Sequence, residues 1–173
     1  MTRRAGKTPI VSSAHLASDH GAELNEFEFG LIVAANAFNR WVARCMAAAG
    51  PADLSALDAL VLHGINHRDR PKRAADLCFV LNIEDAHLVT YACKKLERLG
   101  LVRRGRKGKE VFYAIAPAGR EACARYRRVR EDCLVEALDA LGLPERRDIG
   151  ETARLLRALS GLYDQAARAA TSL

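Results

Sequence analysis

Between Arg73 and Ile115 the spacing of apolar residues changes twice, and few folds accommodate both changes in one short stretch. Ala74, Leu77 and Val80 or Leu81 recur at steps of three and four, which predicts a short helix over roughly Arg73 to Leu81. Asn82-Ile83 reads as a tight break. Asn82 is then expected to cap a second helix, with Asp85 at its third position and Glu84 also placed near the positive helix end. That helix runs to Leu99 with Leu88, Ala92, Leu96 and Leu99 inward, and Gly100 supplies a left-handed stop. The period then falls to two. Leu101-Val102-Arg103-Arg104 and Glu110 to Ile115 flank a turn over Gly105 to Gly108, with Val111, Tyr113 and Ile115 alternating, the pattern of a β-hairpin.

Two short helices around a tight turn, followed by a hairpin, describe a helix-turn-helix with a wing. A helix fits the major groove of DNA, and an adjoining basic hairpin reaches the flanking minor groove or backbone. The face opposite Leu88, Ala92, Leu96 and Leu99 presents His87, Thr90, Tyr91 and Lys94, with Lys95 beside them, as the reading surface. Arg103, Arg104, Arg106, Lys107 and Lys109 make the wing basic.

The charge supports this reading by its location. Lys94 to Lys109 holds eight basic residues and one acid, Glu97, a net +7 where the whole chain carries +6. The remainder is thus close to neutral, and one concentrated field of positive sign is the footprint of a polyanion binder.

Around this lobe the pattern is helical. From Glu23 to Ala49, Leu24, Phe27, Leu31, Ala34, Phe38, Trp41 and Cys45 line one stripe, ended by Gly50-Pro51. Ser55 with Asp58 forms a capping box for a helix through Leu57, Leu60, Val61 and Ile65, and Arg68 to Lys72 is a polar connection. Pro117 starts a long helix through Tyr126, Val129, Cys133, Ala137 and Leu141, broken at Gly142-Leu143-Pro144. A last helix carries Ile149, Ala153, Leu156, Leu159, Tyr163 and Ala166. The fold class is therefore mainly α with a small β-hairpin wing.

Leu77 to Leu81, Asn82-Ile83 and Leu96-Glu97-Arg98-Leu99-Gly100-Leu101-Val102-Arg103-Arg104 resemble the MarR family of winged-helix regulators, whose recognition helix ends in a similar motif. Ala114 to Glu121 resembles that family's second wing strand and the start of its fifth helix. Two departures stand out. Lys107-Gly108-Lys109 replaces an acidic wing motif, and Ala116 replaces a threonine, removing a helix cap at a cost of about 1 kcal/mol. Thr8 to Trp41 and Asn82 to Asp85 look closest to the LdtR-type members, a group tied to cell-wall and osmotic-stress genes.

The resemblance implies a homodimer on a pseudo-palindromic double-stranded operator, and a division of the chain in four. Residues 1–22 are a flexible basic arm and 23–54 an N-terminal dimerisation helix; 55–116 form the winged lobe and 117–173 the C-terminal dimerisation helices. It also implies a small anionic aromatic effector between lobe and dimerisation helices, for which Phe27, Phe38, Arg40, Trp41 and Arg44 are the candidates, and a redox role to weigh for Cys45. Cys45 lies near the C-terminal end of its helix, without the helix N-terminus that depresses a thiol pKa, so a buried inert thiol is expected.

The five scattered cysteines, with no CxxC pair, point to a reducing cytoplasm, and no apolar run reaches the length of a membrane span or secretion signal. His63 and His67 are four apart on one helix but lack an acidic or thiol partner at matching spacing, so neither a metal nor another cofactor is expected. No phosphate-binding glycine loop, nucleophile elbow or paired carboxylates suggest an enzyme. The competing reading is a winged helix that binds protein or RNA without promoter specificity.

Overall fold

The computed structural model describes residues 22–140 and 146–173. The basic arm and the Gly142-Leu143-Pro144 break lie outside the described residues. Helix α1 spans Ala22–Ala48, α2 Ala56–Asn66, α3 Ala74–Leu81 and α4 Ala86–Arg98. Strands β1, Val102–Lys107, and β2, Glu110–Ile115, pair antiparallel before α5, Pro117–Arg130. A wide turn over Glu131–Val135, then α6, Glu136–Ala140, and α7, Arg146–Ala170, complete the chain. Two compact units result, divided between Val129 and Arg130.

The core of the first unit is built from one face of each element. Val42, Cys45 and Met46 of α1 meet Val61, Leu62 and Ile65 of α2, Leu77 of α3, Leu96 of α4, Tyr113 of β2 and Tyr126 of α5. Only the C-terminal end of α1 takes part. Every residue from Leu31 to Arg40 is exposed, so the long stripe read from the sequence is amphipathic but, among the described residues, covered only at Phe27, Trp41 and Cys45. In α3 the inner position is Leu81, whereas Val80 points outward.

Local chemistry explains the boundaries. At α2, the Ser55 hydroxyl accepts from the Asp58 backbone N–H (3.1 Å) and the Asp58 carboxylate from the Ser55 N–H (2.9 Å), the expected capping box. The turn between α3 and α4 differs from expectation. Asn82 closes α3 in the left-handed conformation (φ 52°), and Asp85 caps α4 by accepting from the His87 N–H at 2.8 Å. Asparagine tolerates that conformation, so the tight turn uses it to stop one helix and leaves an aspartate to start the next.

The hairpin is also longer than read. Lys107 pairs with Glu110, so only Gly108 and Lys109 form the turn, and Gly105 lies in β1 opposite Phe112. Gly108 has φ 62° and Lys109 stays outside the left-handed region, as a two-residue turn with glycine first requires. Lys72 adds a third, single-residue strand: its N–H donates to the Tyr113 carbonyl (2.9 Å) and its carbonyl accepts from the Tyr113 N–H (2.8 Å).

The base of the hairpin closes on α5. The Leu101 carbonyl accepts from the Ala116 N–H at 3.0 Å, and Gly119 lies against the same carbonyl. A Cβ there would overlap that oxygen and come within 2.8 Å of Ile115 Cδ1. In the second unit, Ile149, Leu155, Leu156 and Leu162 of α7 are exposed, and Cys133 is exposed in the wide turn after α5 rather than inward.

Gly119→Ala is expected to destabilise by about 2 kcal/mol or more through overpacking against backbone. Gly161→Ala, within α7 and with open space around its Cβ, is expected to be neutral or stabilising by up to about 1 kcal/mol. Thermal unfolding of the two variants checks the contrast, and equal effects would contradict the packing at Gly119.

Candidate nucleic-acid interface

The inward face of α4 is Val89, Ala92, Cys93 and Leu96, not the Leu88, Ala92, Leu96 and Leu99 stripe read from spacing alone. Leu88 and Leu99 are exposed. Both sets repeat at helical steps; the one containing Val89 and Cys93 places a continuous apolar surface against α2 and α3. His87, Tyr91, Lys94 and Arg98, at steps of four, three and four, consequently form an exposed line along the helix. Thr90 is half-buried on one flank.

Lys95 has a different job from its neighbours. Its ammonium lies 2.7 Å from the Asp58 carboxylate and donates to the Asp53 carbonyl at 2.5 Å. Asp58 is only 4% exposed, so the pair joins α4 to the start of α2 inside the lobe. Lys95 is therefore committed within the lobe, and Arg98, which the sequence reading counted in the basic cluster but not among the contact residues, takes a place on the exposed line.

In the wing, Arg103, Arg104, Arg106, Lys107 and Lys109 are all exposed. The pleat divides them. Arg104 and Arg106 pair with Tyr113 and Val111 and share their face, whereas Arg103 and Lys107 pair with Ala114 and Glu110 on the other. Arg103 sits at the base of the wing, lining a shallow cavity with Pro117, Arg120 and Glu121.

The wing is braced against α3. Arg73 lies 2.8 Å from Asp76 and 2.7 Å from Glu110, bridging the start of α3 to the first residue of β2. Its hydrogen bond, followed by its charge, holds the Asp76 carboxyl below the usual carboxylate range. Beside it, the loop after α2 holds Arg68 (φ 61°) and Asp69 (φ 46°) in the left-handed region. The Lys72 ammonium donates to the carbonyls of Ile65 (3.2 Å), His67 (2.5 Å) and Arg70 (3.2 Å), and Arg120 pairs with Asp69 at 2.6 Å, so the strained loop is held from two sides. The Arg73–Glu110 and Lys72 ties were missed because Glu110 is distant in sequence and the Lys72 acceptors are main-chain carbonyls.

The other candidate residues lie away from this surface. Phe38, Arg40 and Arg44 are exposed, and Phe27 and Trp41 half-buried, all on α1. A cavity of about 760 Å³ lies instead between the end of α2, the following loop, α3 and Phe112. The Cys45 thiol is buried and donates to the Tyr126 carbonyl at 3.6 Å. Burial pushes the Cys93 thiol up to about 12 and Cys123 to about 11, which keeps both protonated. His63 packs edge-on against Tyr126 (centroids 4.5 Å apart), burial lowers its pKa, and His67 is exposed at the end of α2. Among the described residues no group of three or more metal-ligating side chains comes together, and no helix is long and apolar enough to cross a membrane.

A three-helix lobe with a projecting basic hairpin is the architecture of a winged helix. Residues 54–119 match the family model of the winged helix DNA-binding domain, and the lobe has the winged-helix fold. The chain's wider fold is that of MarR-family regulators. The MarR family regulator NMB1585 from Neisseria meningitidis superposes with a TM-score of 0.61 at 14% identity, over 83% of this chain and 95% of that one. AbfR of Staphylococcus epidermidis gives 0.64 at 16%, over 83% and 92%. CouR from Rhodococcus jostii RHA1, solved bound to p-coumaroyl-CoA, gives 0.60 at 15%, over 77% and 90%. No curated protein matches the sequence.

Lys95→Met is expected to cost about 2 kcal/mol or more, because it strands the Asp58 carboxylate in a buried site. Lys94→Met, on the exposed line, is expected to leave the unfolding temperature within about 2 °C of the parent. Comparable losses from the two would contradict the division between them.

Proposed function

We propose that this chain is a cytoplasmic transcription regulator that binds a pseudo-palindromic DNA operator as a homodimer. The observation that carries the reading is the alignment of His87, Tyr91, Lys94 and Arg98 along the outer face of α4 in a winged helix DNA-binding domain. In this reading α4 enters the major groove, with Thr90 at its flank. Arg104 and Arg106, with Lys107 and Lys109 at the tip, follow the adjoining backbone or minor groove. Arg103 serves the wing base.

The dimer is supported by apolar surface left open among the described residues. On α1 this comprises Leu24, Leu31, Ile32, Val33 and Phe38, and on α7 Ile149, Leu155, Leu156 and Leu162. Uncovered apolar surface of this extent marks an interaction face, and helices 23–54 and 117–173 are the proposed dimerisation regions. A two-fold pair would set its recognition helices about 34 Å apart, one turn of DNA.

Sedimentation is expected to give twice the 18.9 kDa chain mass. A gel shift with the upstream region of the chain's own gene is expected to show at least about a thousandfold preference over random duplex at physiological salt. With about eight phosphates neutralised by the dimer, log affinity is expected to fall against log salt with a slope near −7. Equal affinity for both duplexes would favour an RNA- or protein-binding module, and a slope near zero would remove the electrostatic mechanism.

The effector belongs to the same proposal. CouR binds an aromatic acyl thioester on this fold. Phe27, Phe38 and Trp41 with Arg40 and Arg44 supply the apolar and cationic groups that an anionic aromatic ligand needs. Trp41 is the chain's one tryptophan, so its emission reports on this surface alone. Titration with a hydroxycinnamate is expected to quench that emission and weaken operator binding together; release from DNA with unchanged emission would place the ligand elsewhere.

A further inference from the structure

On the flank of the α4 line that meets DNA in the proposed function stands an exposed aliphatic side chain that the sequence pattern assigned to the core. Leu88 is 52% exposed in the first turn of the helix, between His87 and Tyr91, itself 68% exposed. Two turns further along the same flank, Lys95 is taken up by Asp58 and Asp53. Leu88 has no comparable cover, and the core beneath α4 is already filled by Val89, Ala92, Cys93 and Leu96. A leucine here adds little to the fold that alanine, the better helix former, would not.

Its chemistry is informative in the groove that α4 would occupy. The N-terminal residues of a recognition helix reach deepest into the major groove. The base edges there present hydrogen-bond donors and acceptors and one aliphatic group, the 5-methyl of thymine. An isobutyl group has no polar atom to satisfy the others, and set against a guanine or adenine edge it would strip water from acceptors without replacing their hydrogen bonds. The Tyr91 ring, three residues on, lies next to Leu88 on the helix surface and extends the apolar strip while its hydroxyl remains free to meet phosphate or water.

We propose that Leu88 is a specificity-determining residue that selects thymine in each operator half-site by packing against its 5-methyl group. This rests on the DNA-binding reading above and deepens it: hydrogen bonds from His87 and Lys94 and cation contacts from the wing position the helix, and Leu88 fixes one base by shape and apolarity.

The test uses the full chain and the duplex recovered by selection from random DNA. Thymines are replaced one at a time by deoxyuridine, which deletes the methyl and leaves base pairing and the O4 acceptor intact. At one thymine position in each half-site the parent is expected to lose about fourfold in affinity, the effect of one buried methyl. Leu88→Ala, which removes the contact from both half-sites at once, is expected to lose about 15-fold on the thymine duplex, the square of the single-methyl factor, and to become indifferent to deoxyuridine at that position, the mark of a direct contact. Because Leu88 is exposed, Leu88→Ala is expected to unfold at the parent's temperature, which separates contact from misfolding.

If the parent selects a sequence but tolerates deoxyuridine everywhere, the proposal is overturned while the regulator reading stands. Deoxyuridine sensitivity that persists unchanged in Leu88→Ala overturns it as well, and assigns the methyl to another side chain, with Tyr91→Ala the next variant. A failure to select any sequence overturns both.

Discussion

The ion pair between Lys95 and Asp58 decides how the rest of the lobe presents itself. Asp58 already serves the start of α2, accepting from the Ser55 N–H, and its carboxylate is almost wholly removed from water. A carboxylate so placed is costly unless its charge is met, and Lys95 meets it from α4 at 2.7 Å. An apolar pair of similar volume could hold two helices together as firmly. It would not fix their mutual rotation in the same way, because dispersion contacts tolerate a small turn about the helix axis and a charge at hydrogen-bonding distance does not. With α4 fixed, Val89, Ala92, Cys93 and Leu96 must face inward, and His87, Tyr91, Lys94 and Arg98 outward.

The wing obeys a second constraint, spread along its length. The exposed ion pair Arg73–Glu110 is worth little by itself, since solvent screens both partners. Its geometry matters more than its energy, because it acts with the paired backbone bonds between Lys72 and Tyr113 and the closure of Leu101 on Ala116. Three independent ties act along a two-stranded ribbon that would be marginal alone: Leu101–Ala116 at the root, Lys72–Tyr113 midway and Arg73–Glu110 beside the turn. Five cations are displayed on strands whose pleat sends Arg104 and Arg106 to one face and Arg103 and Lys107 to the other, with Lys109 in the turn. A hairpin built this way has a direction fixed along its length and leaves only its long cationic side chains to adapt.

Much of this was legible in the sequence because it is encoded locally. The Ser55–Asp58 capping box, the stop at Gly100, the break at Asn82-Ile83 and the alternation of Val111, Tyr113 and Ile115 each depend on residues within one turn or strand. What failed depends on distant partners. Leu88-Ala92-Leu96-Leu99 and Val89-Ala92-Cys93-Leu96 are equally good helical stripes until Asp58, 37 residues before Lys95, selects between them. Asn82 was read as a cap because asparagine both caps helices and tolerates positive φ, and only the position of Asp85 distinguishes the two uses. The α1 stripe was found correctly as a pattern, but periodicity states that a face is apolar and never what covers it.

That uncovered face bears on how the DNA-binding lobe could be controlled. Helix α1 is continuous for 27 residues, yet its two ends have different surroundings. From Leu31 to Arg40 it is exposed, while Val42, Cys45, Met46 and Ala49 belong to the core that also holds Leu96 of α4 and Tyr126 of α5. Cys45 donates to the Tyr126 carbonyl, and the Arg125 guanidinium donates to the Ala49 carbonyl at 2.5 Å, so this end of α1 cannot shift without disturbing α5. A packed helix transmits displacement along its axis because its interior is dense and nearly incompressible. Whatever covers the outer stripe of α1, whether a second subunit or a ligand beside Trp41, therefore acts through the same rod on the core that orients α4. In the proposed function, dimerisation and ligand response would need no separate machinery; both would be forces on one helix whose inner end is built into the core beneath α4.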